Sequence, residues 1–153
     1  MNSPHDPAVA DLTRQVRAYW NGRIHDLEMT DQVVGTKAFF DELDDYRFDK
    51  LAYLPQVMDF GGYRGQRLLE IGCGIGTDLV RFAAGGARVT GVDLSETAVR
   101  LARQNMDLHG HRGSVFVVGD GAALPVRDAS VDVVYAHGVL QYSADPRAIV
   151  REA

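Results

Sequence analysis

Leu68-Leu69-Glu70-Ile71-Gly72-Cys73-Gly74-Ile75-Gly76-Thr77-Asp78 is the stretch that decides the fold of this chain. A short apolar run leads into three glycines at alternate positions, and a segment of helical pattern follows. Seventeen residues after Gly76, Asp93 closes a second strand-like run, Val89-Thr90-Gly91-Val92. Strand, glycine turn, helix, strand and terminal acid form the layout of a nucleotide-binding βαβ unit. The glycines let the backbone turn tightly and approach a ligand with no Cβ in the way. The helix that follows offers unpaired N–H groups at its start, which attract a carboxylate or a phosphate.

Downstream the alternation continues. Arg67–Ile71 reads as a buried strand and Thr77–Ala84 as a helix closed by Gly85-Gly86. Arg88–Val92 is a second strand. Ser95 is placed to cap a helix whose inner side carries Ala98, Val99, Leu101, Ala102 and Met106. After the loop His109–Gly113 come a third strand, Val115–Val118, a loop Asp120–Ser130, and a fourth strand, Val131–Ala136. Asp145-Pro146 opens a last helix. Strands alternating with helices imply an α/β fold with a parallel sheet and right-handed crossovers. Ligands on such sheets lie past the carboxyl ends of the strands, where Glu70–Gly76, Asp93, Asp120 and His137 fall.

Upstream the pattern is different. Residues 1–7 are polar, hold two prolines and are expected to fray. Val9, Leu12, Val16, Tyr19 and Trp20 recur at helical spacing up to Gly22. Phe39, Phe40 and Leu43 predict a second helix, with Asp41, Glu42, Asp44 and Asp45 as a solvated acidic face. Leu51, Leu54, Val57 and Met58 predict a third. The chain thus divides into an N-terminal helical cap, residues 1–64, and a ligand-binding α/β domain, residues 65–153.

Two details choose the ligand. A dinucleotide fingerprint, G-x-G-x-x-G/A, would place a small residue at position 77, where Thr77 stands. Glu70 also precedes the first glycine by two, a poor neighbour for a pyrophosphate and a good one for an ammonium. S-adenosylmethionine (SAM) carries an ammonium, a carboxylate and no phosphate. Asp93 is placed to accept both ribose hydroxyls, and Asp120, in Val118-Gly119-Asp120-Gly121, to take the exocyclic amine of adenine.

Composition narrows the classes further. The chain has 153 residues, 46% apolar and 24% charged, the range of one globular domain. A net charge of −5 without a basic cluster argues against nucleic acid or an anionic membrane as partner. Cys73 is the only cysteine, which suits a reducing, cytoplasmic setting. Its place between glycines favours packing over nucleophilic chemistry. His5, His25, His109 and His111 lack metal-ligand spacing, so no metal is expected.

These residues resemble the class I SAM-dependent methyltransferases, closest to the small-molecule branch of the ubiquinone and menaquinone C-methyltransferases. The glycine motif appears as Glu70–Gly76 and the ribose acid as Asp93 in Gly91-Val92-Asp93-Leu94-Ser95. The adenine-side motif appears as Gly119-Asp120-Gly121-Ala122, and the fourth-strand segment as Val131–His137. The resemblance covers about residues 65–153. It implies a Rossmann-like three-layer sandwich with the partial strand order 3-2-1-4. Glu70, Gly72 and Gly74 would contact the methionine part, Asp93 and Leu94 the ribose and adenine, and Asp120 and Gly121 the adenine edge. His137 would lie near the sulfonium. Family domains carry three further strands, so a C-terminally incomplete chain is expected.

The reading is a SAM-dependent methyltransferase acting on a small molecule. Cofactor contacts are assigned to Glu70, Gly72, Cys73, Gly74, Gly76, Asp93, Leu94, Asp120, Gly121, His137 and Trp20. Trp20 enters as an aromatic face for the sulfonium, and His137 also as a general base or polar positioner. The alternatives are a non-catalytic SAM-binding module that needs a partner to complete its sheet, and an NAD-dependent oxidoreductase, which Thr77 and Glu70 oppose. The methyl acceptor, the atom methylated and the oligomeric state are not encoded in any motif.

Overall fold

The computed structural model describes residues 7–153. The expectation that residues 1–7 fray therefore lies, apart from Pro7, outside the described residues, as does His5. Four parallel strands form one sheet: β1 (Arg67–Ile71), β2 (Arg88–Asp93), β3 (Val115–Val118) and β4 (Val133–Tyr135). Their order is β3-β2-β1-β4, as expected. The register aligns Glu70 with Gly91 on one side and Tyr135 on the other, and pairs Asp93 with Val118. The carboxyl ends of the strands thus open on one edge.

Period-two alternation of β1 builds two cores. Leu68 faces α4 (Thr77–Ala84) and α5 (Glu96–Leu108), in a cluster with Leu79, Phe82, Val99, Ala102 and Met106. Leu69 and Ile71 face the other way, with Val92 and Ile149 of α6 (Pro146–Glu152). Phe82 is fully buried and its ring meets those of Phe60, Tyr63 and Tyr135 at 4.7, 5.6 and 5.1 Å. Ser95 caps α5 by accepting the Ala98 N–H at 3.1 Å, as its position predicts. Among the described residues, no helix is long and apolar enough to cross a membrane.

The N-terminal helices are α1 (Pro7–Asn21), α2 (Lys37–Lys50) and the single turn α3 (Leu54–Val57). α1 and α2 both pack on α5, and α2 also on α4. Phe39, Phe40 and Leu43 of α2 bury themselves against Leu101. The acidic face of α2 is solvated at Glu42 and Asp45, as expected, but it also carries ion pairs and hydrogen bonds. Asp44 accepts from Arg81 at 2.6 and 3.1 Å, Asp41 from Lys37 at 2.7 Å, and Glu42 from the Thr30 hydroxyl at 2.6 Å. His109 stands 2.9 Å from Asp41, so this face fastens α2 to α4 and α5.

Two elements are shorter than their patterns suggest. The third helix covers only Leu54–Val57, because Leu51 leaves helical geometry (φ −110°, ψ 45°) and Pro55 sits in the first turn. β4 covers three residues where six were expected. It pairs only with Leu68–Glu70, and its chain turns away at Gly138, where φ is 72°.

Candidate functional site

The turn after β1 is held by its own backbone. Gly72 and Cys73 N–H donate to Val92 O at 2.7 and 3.2 Å, and Gly76 N–H donates to Cys73 O at 2.8 Å. Gly72 and Gly76 have φ of 69° and 80°, which disfavours any side chain. A Cβ on Gly72 would strike Val139, and one on Gly76 would lie 3.2 Å from Ala102 Cβ of α5. Gly74 instead opens on empty space.

That space belongs to a cavity of about 360 Å³ at the carboxyl ends of the strands. Its wall contains Trp20, Glu70, Gly72, Cys73, Gly74, Asp93, Leu94, Asp120, Gly121 and His137. Of the residues assigned to the cofactor, Gly76 alone is absent from the wall. It is buried against α5, where its lack of a side chain lets α4 start close to that helix. Thr77 and Asp78 line the cavity in its place.

The inner end of the cavity is acidic. Asp93 Oδ2 accepts the Gly74 N–H at 2.9 Å and Oδ1 accepts the Ser95 N–H at 2.8 Å, which fixes the carboxylate plane. Burial pushes the Asp93 pKa up, against these two bonds. Asp120 Oδ1 accepts the Ala122 N–H at 2.9 Å. Asp78 is 2% exposed and accepts from Arg47 Nε and Nη2 at 2.8 and 2.7 Å and from the Tyr135 hydroxyl at 2.9 Å. Glu70 is 4% exposed, and among the described residues its Oε2 has no hydrogen-bond partner. Burial, and then the neighbouring Asp78 charge, pushes the Glu70 pKa well up. Burial likewise pushes up the Cys73 thiol, which keeps it a packing group.

Three of these residues were not foreseen. Asp78 lies inside the opening motif, but nothing local marks it. Arg47 carried a signal: it continues the buried Phe40–Leu43 stripe of α2 with a guanidinium. Tyr53 carried none. His137, read as a general base, has both ring nitrogens engaged: Nδ1 stands 3.1 Å from Arg47 Nη2 and Nε2 stands 3.1 Å from the Tyr53 hydroxyl.

The outer end is aromatic. The Trp20 ring meets Tyr142 edge-on at 5.5 Å and His25 at 6.0 Å. Trp20 is positioned by its neighbour, because Asn21 Oδ1 accepts the Glu96 N–H at 2.8 Å and ties the end of α1 to the start of α5.

The chain is similar to known proteins. A family model described as a methyltransferase domain matches residues 69–153. The ubiquinone biosynthesis O-methyltransferase of Bordetella parapertussis is 37% identical over 97 residues, 60% of this chain and 38% of that one. The 27-O-demethylrifamycin SV methyltransferase of Amycolatopsis mediterranei is 33% identical over 150 residues, 95% of this chain and 50% of that one. The chain thus spans between 38% and 50% of the length of these two relatives. The crystal structure of magnesium protoporphyrin IX methyltransferase from Synechocystis, solved with bound SAM, superposes with a TM-score of 0.67. That likeness covers 99% of this chain and 72% of the other at 24% identity, and is one of fold. Since the family match takes in more than half of its residues, and the glycine turn and its acids occupy one cavity, the chain belongs to the methyltransferase domain family.

Proposed function

We propose that this chain binds S-adenosylmethionine in the cavity at its strand ends and directs the methyl group to a small molecule. The observation that carries the reading is Glu70 Oε2, a carboxylate oxygen buried in the cavity wall without a partner. A buried, unpaired carboxylate is costly unless a ligand satisfies it, and an ammonium does so. Beside it the Gly74 backbone leaves room for a ligand to approach. Asp93, held by two backbone N–H groups, keeps free lone pairs for ribose hydroxyls. Leu94, Asp120 and Gly121 serve the adenine edge.

Bound SAM supplies an activated methyl carbon open to in-line displacement. The protein's own task is to orient and to exclude water. Residues 7–64 act as the cap, with α1 and α2 closing the outer side. Val16, Trp20, Ile24 and Tyr142 line that side and form an apolar, aromatic place for the acceptor. A single buried cysteine suits the cytoplasm. Calorimetry tests the reading: SAM and S-adenosylhomocysteine should bind at one site per chain, and NADH should not. Saturable NADH binding with no response to either sulfur nucleoside refutes it.

A further inference from the structure

His137 sits at the junction of three elements. Arg47 comes from α2, Tyr53 from the segment before α3, and His137 from the turn after β4. A guanidinium has donors only, so Nδ1 of His137 must accept from Arg47 Nη2 across 3.1 Å. The ring proton therefore lies on Nε2 and points to the Tyr53 oxygen, also at 3.1 Å. The ring's lone pair and its proton are both spent on the helical wall. Around it, the Tyr135 ring stacks at 6.4 Å, and Asp78 is engaged by Arg47 and the Tyr135 hydroxyl.

We propose that His137 is a positioning residue, a clamp through which Arg47 and Tyr53 fasten the α2–α3 wall over the cavity, and not the proton acceptor of the reaction. Arg47 lines the cavity beside Leu43, Lys50 and Leu51, so the wall it anchors covers whatever the cavity holds. Its other grip, on Asp78, ties the same wall to the first turn of α4. The inference rests on the proposed cofactor reading for its binding readout, and on geometry alone for its dynamic one.

The test compares His137→Leu with His137→Asn, whose amide oxygen can replace the Nδ1 acceptor but cannot act as a base. S-adenosylhomocysteine serves as probe, so no acceptor is needed. For His137→Leu its affinity should fall roughly tenfold, the scale of one lost hydrogen bond to a charged group, through faster dissociation. For His137→Asn it should stay within about threefold. Tyr53→Phe added to His137→Leu should cause no further loss, because both act through one ring. Amide exchange across residues 37–57, measured without ligand, should quicken in His137→Leu and return toward the parent rate in His137→Asn. Equal affinity and equal exchange in both variants overturn the clamp, and so does an equal loss in both. If the parent chain fails to bind the probe, the cofactor reading falls, while the exchange result still decides the clamp.

Discussion

The two ends of the cavity are built by different means. The inner end uses strand termini and backbone: Asp93 is held by the N–H groups of Gly74 and Ser95, and the glycine turn hangs from Val92 O. Its partners lie on adjacent parallel strands joined by one short crossover. The outer end is made of side chains that meet across the molecule. Arg47 and His137 are 90 residues apart, Tyr53 and His137 are 84 apart, and Trp20 touches Tyr142. Backbone geometry repeats wherever a βαβ unit forms, whereas side-chain meetings depend on how separate helices dock.

Substitutions can break or sharpen this contrast. The largest effect should come from beneath both ends. Phe82→Ala leaves a void under the Phe60, Tyr63 and Tyr135 rings and should cost about 3–5 kcal/mol of stability in chemical denaturation. A loss under about 1 kcal/mol would mean that the aromatic cluster collapses to fill the void.

Next is Asp93→Ala at the inner end. It should weaken S-adenosylhomocysteine by roughly tenfold to a hundredfold in calorimetry, the worth of one or two charge-assisted hydrogen bonds. Unchanged affinity would remove the inner end from the cofactor site.

Glu70→Gln sharpens the same point with pH. The folded Glu70 pKa stands above its unfolded value of about 4.5, so in that interval the folded state holds more protons than the unfolded one. Ligand-free stability then falls as pH rises from the unfolded value through the folded one. Thermal unfolding should show this slope in the parent chain and a flatter one in Glu70→Gln. The variant should melt higher near neutrality yet bind the probe roughly tenfold more weakly. A parallel pH profile for both proteins would mean that Glu70 does not carry this cost.

The smallest effect is expected at the outer end. Trp20→Ala should weaken SAM about threefold more than S-adenosylhomocysteine, the scale of a cation–π contact to a sulfonium that only SAM carries. Equal losses would leave Trp20 as packing alone.

The α/β half was legible because each of its signals is local. Arg67–Ile71, Thr77–Ala84 and Val115–Val118 have the bounds their patterns predict, and Ser95 caps α5. The same locality hid three sets of partners. Gly76 belongs to the motif but spends its missing side chain on Ala102 of α5, a neighbour the motif does not mention. The partners of Asp44 and Asp41, Arg81 on α4 and His109 just past α5, stand far along the chain from α2. Nothing in the neighbourhood of His137 along the chain announces Arg47 or Tyr53, which engage both its ring nitrogens.

What the sequence determined by itself is the parallel α/β sheet, the glycine turn and the carboxylates at successive strand ends, while the strand order came from the family resemblance. Alternating apolar periods and short crossovers leave few ways to pair parallel strands, and a strand end dictates where its last side chain points. What only the tertiary structure decided is which charges meet: Asp78 with Arg47, Arg47 with His137, and Glu70 Oε2 with nothing. Such meetings depend on helix docking, which rests on contacts spread over many side chains and is written in no single stretch of the chain.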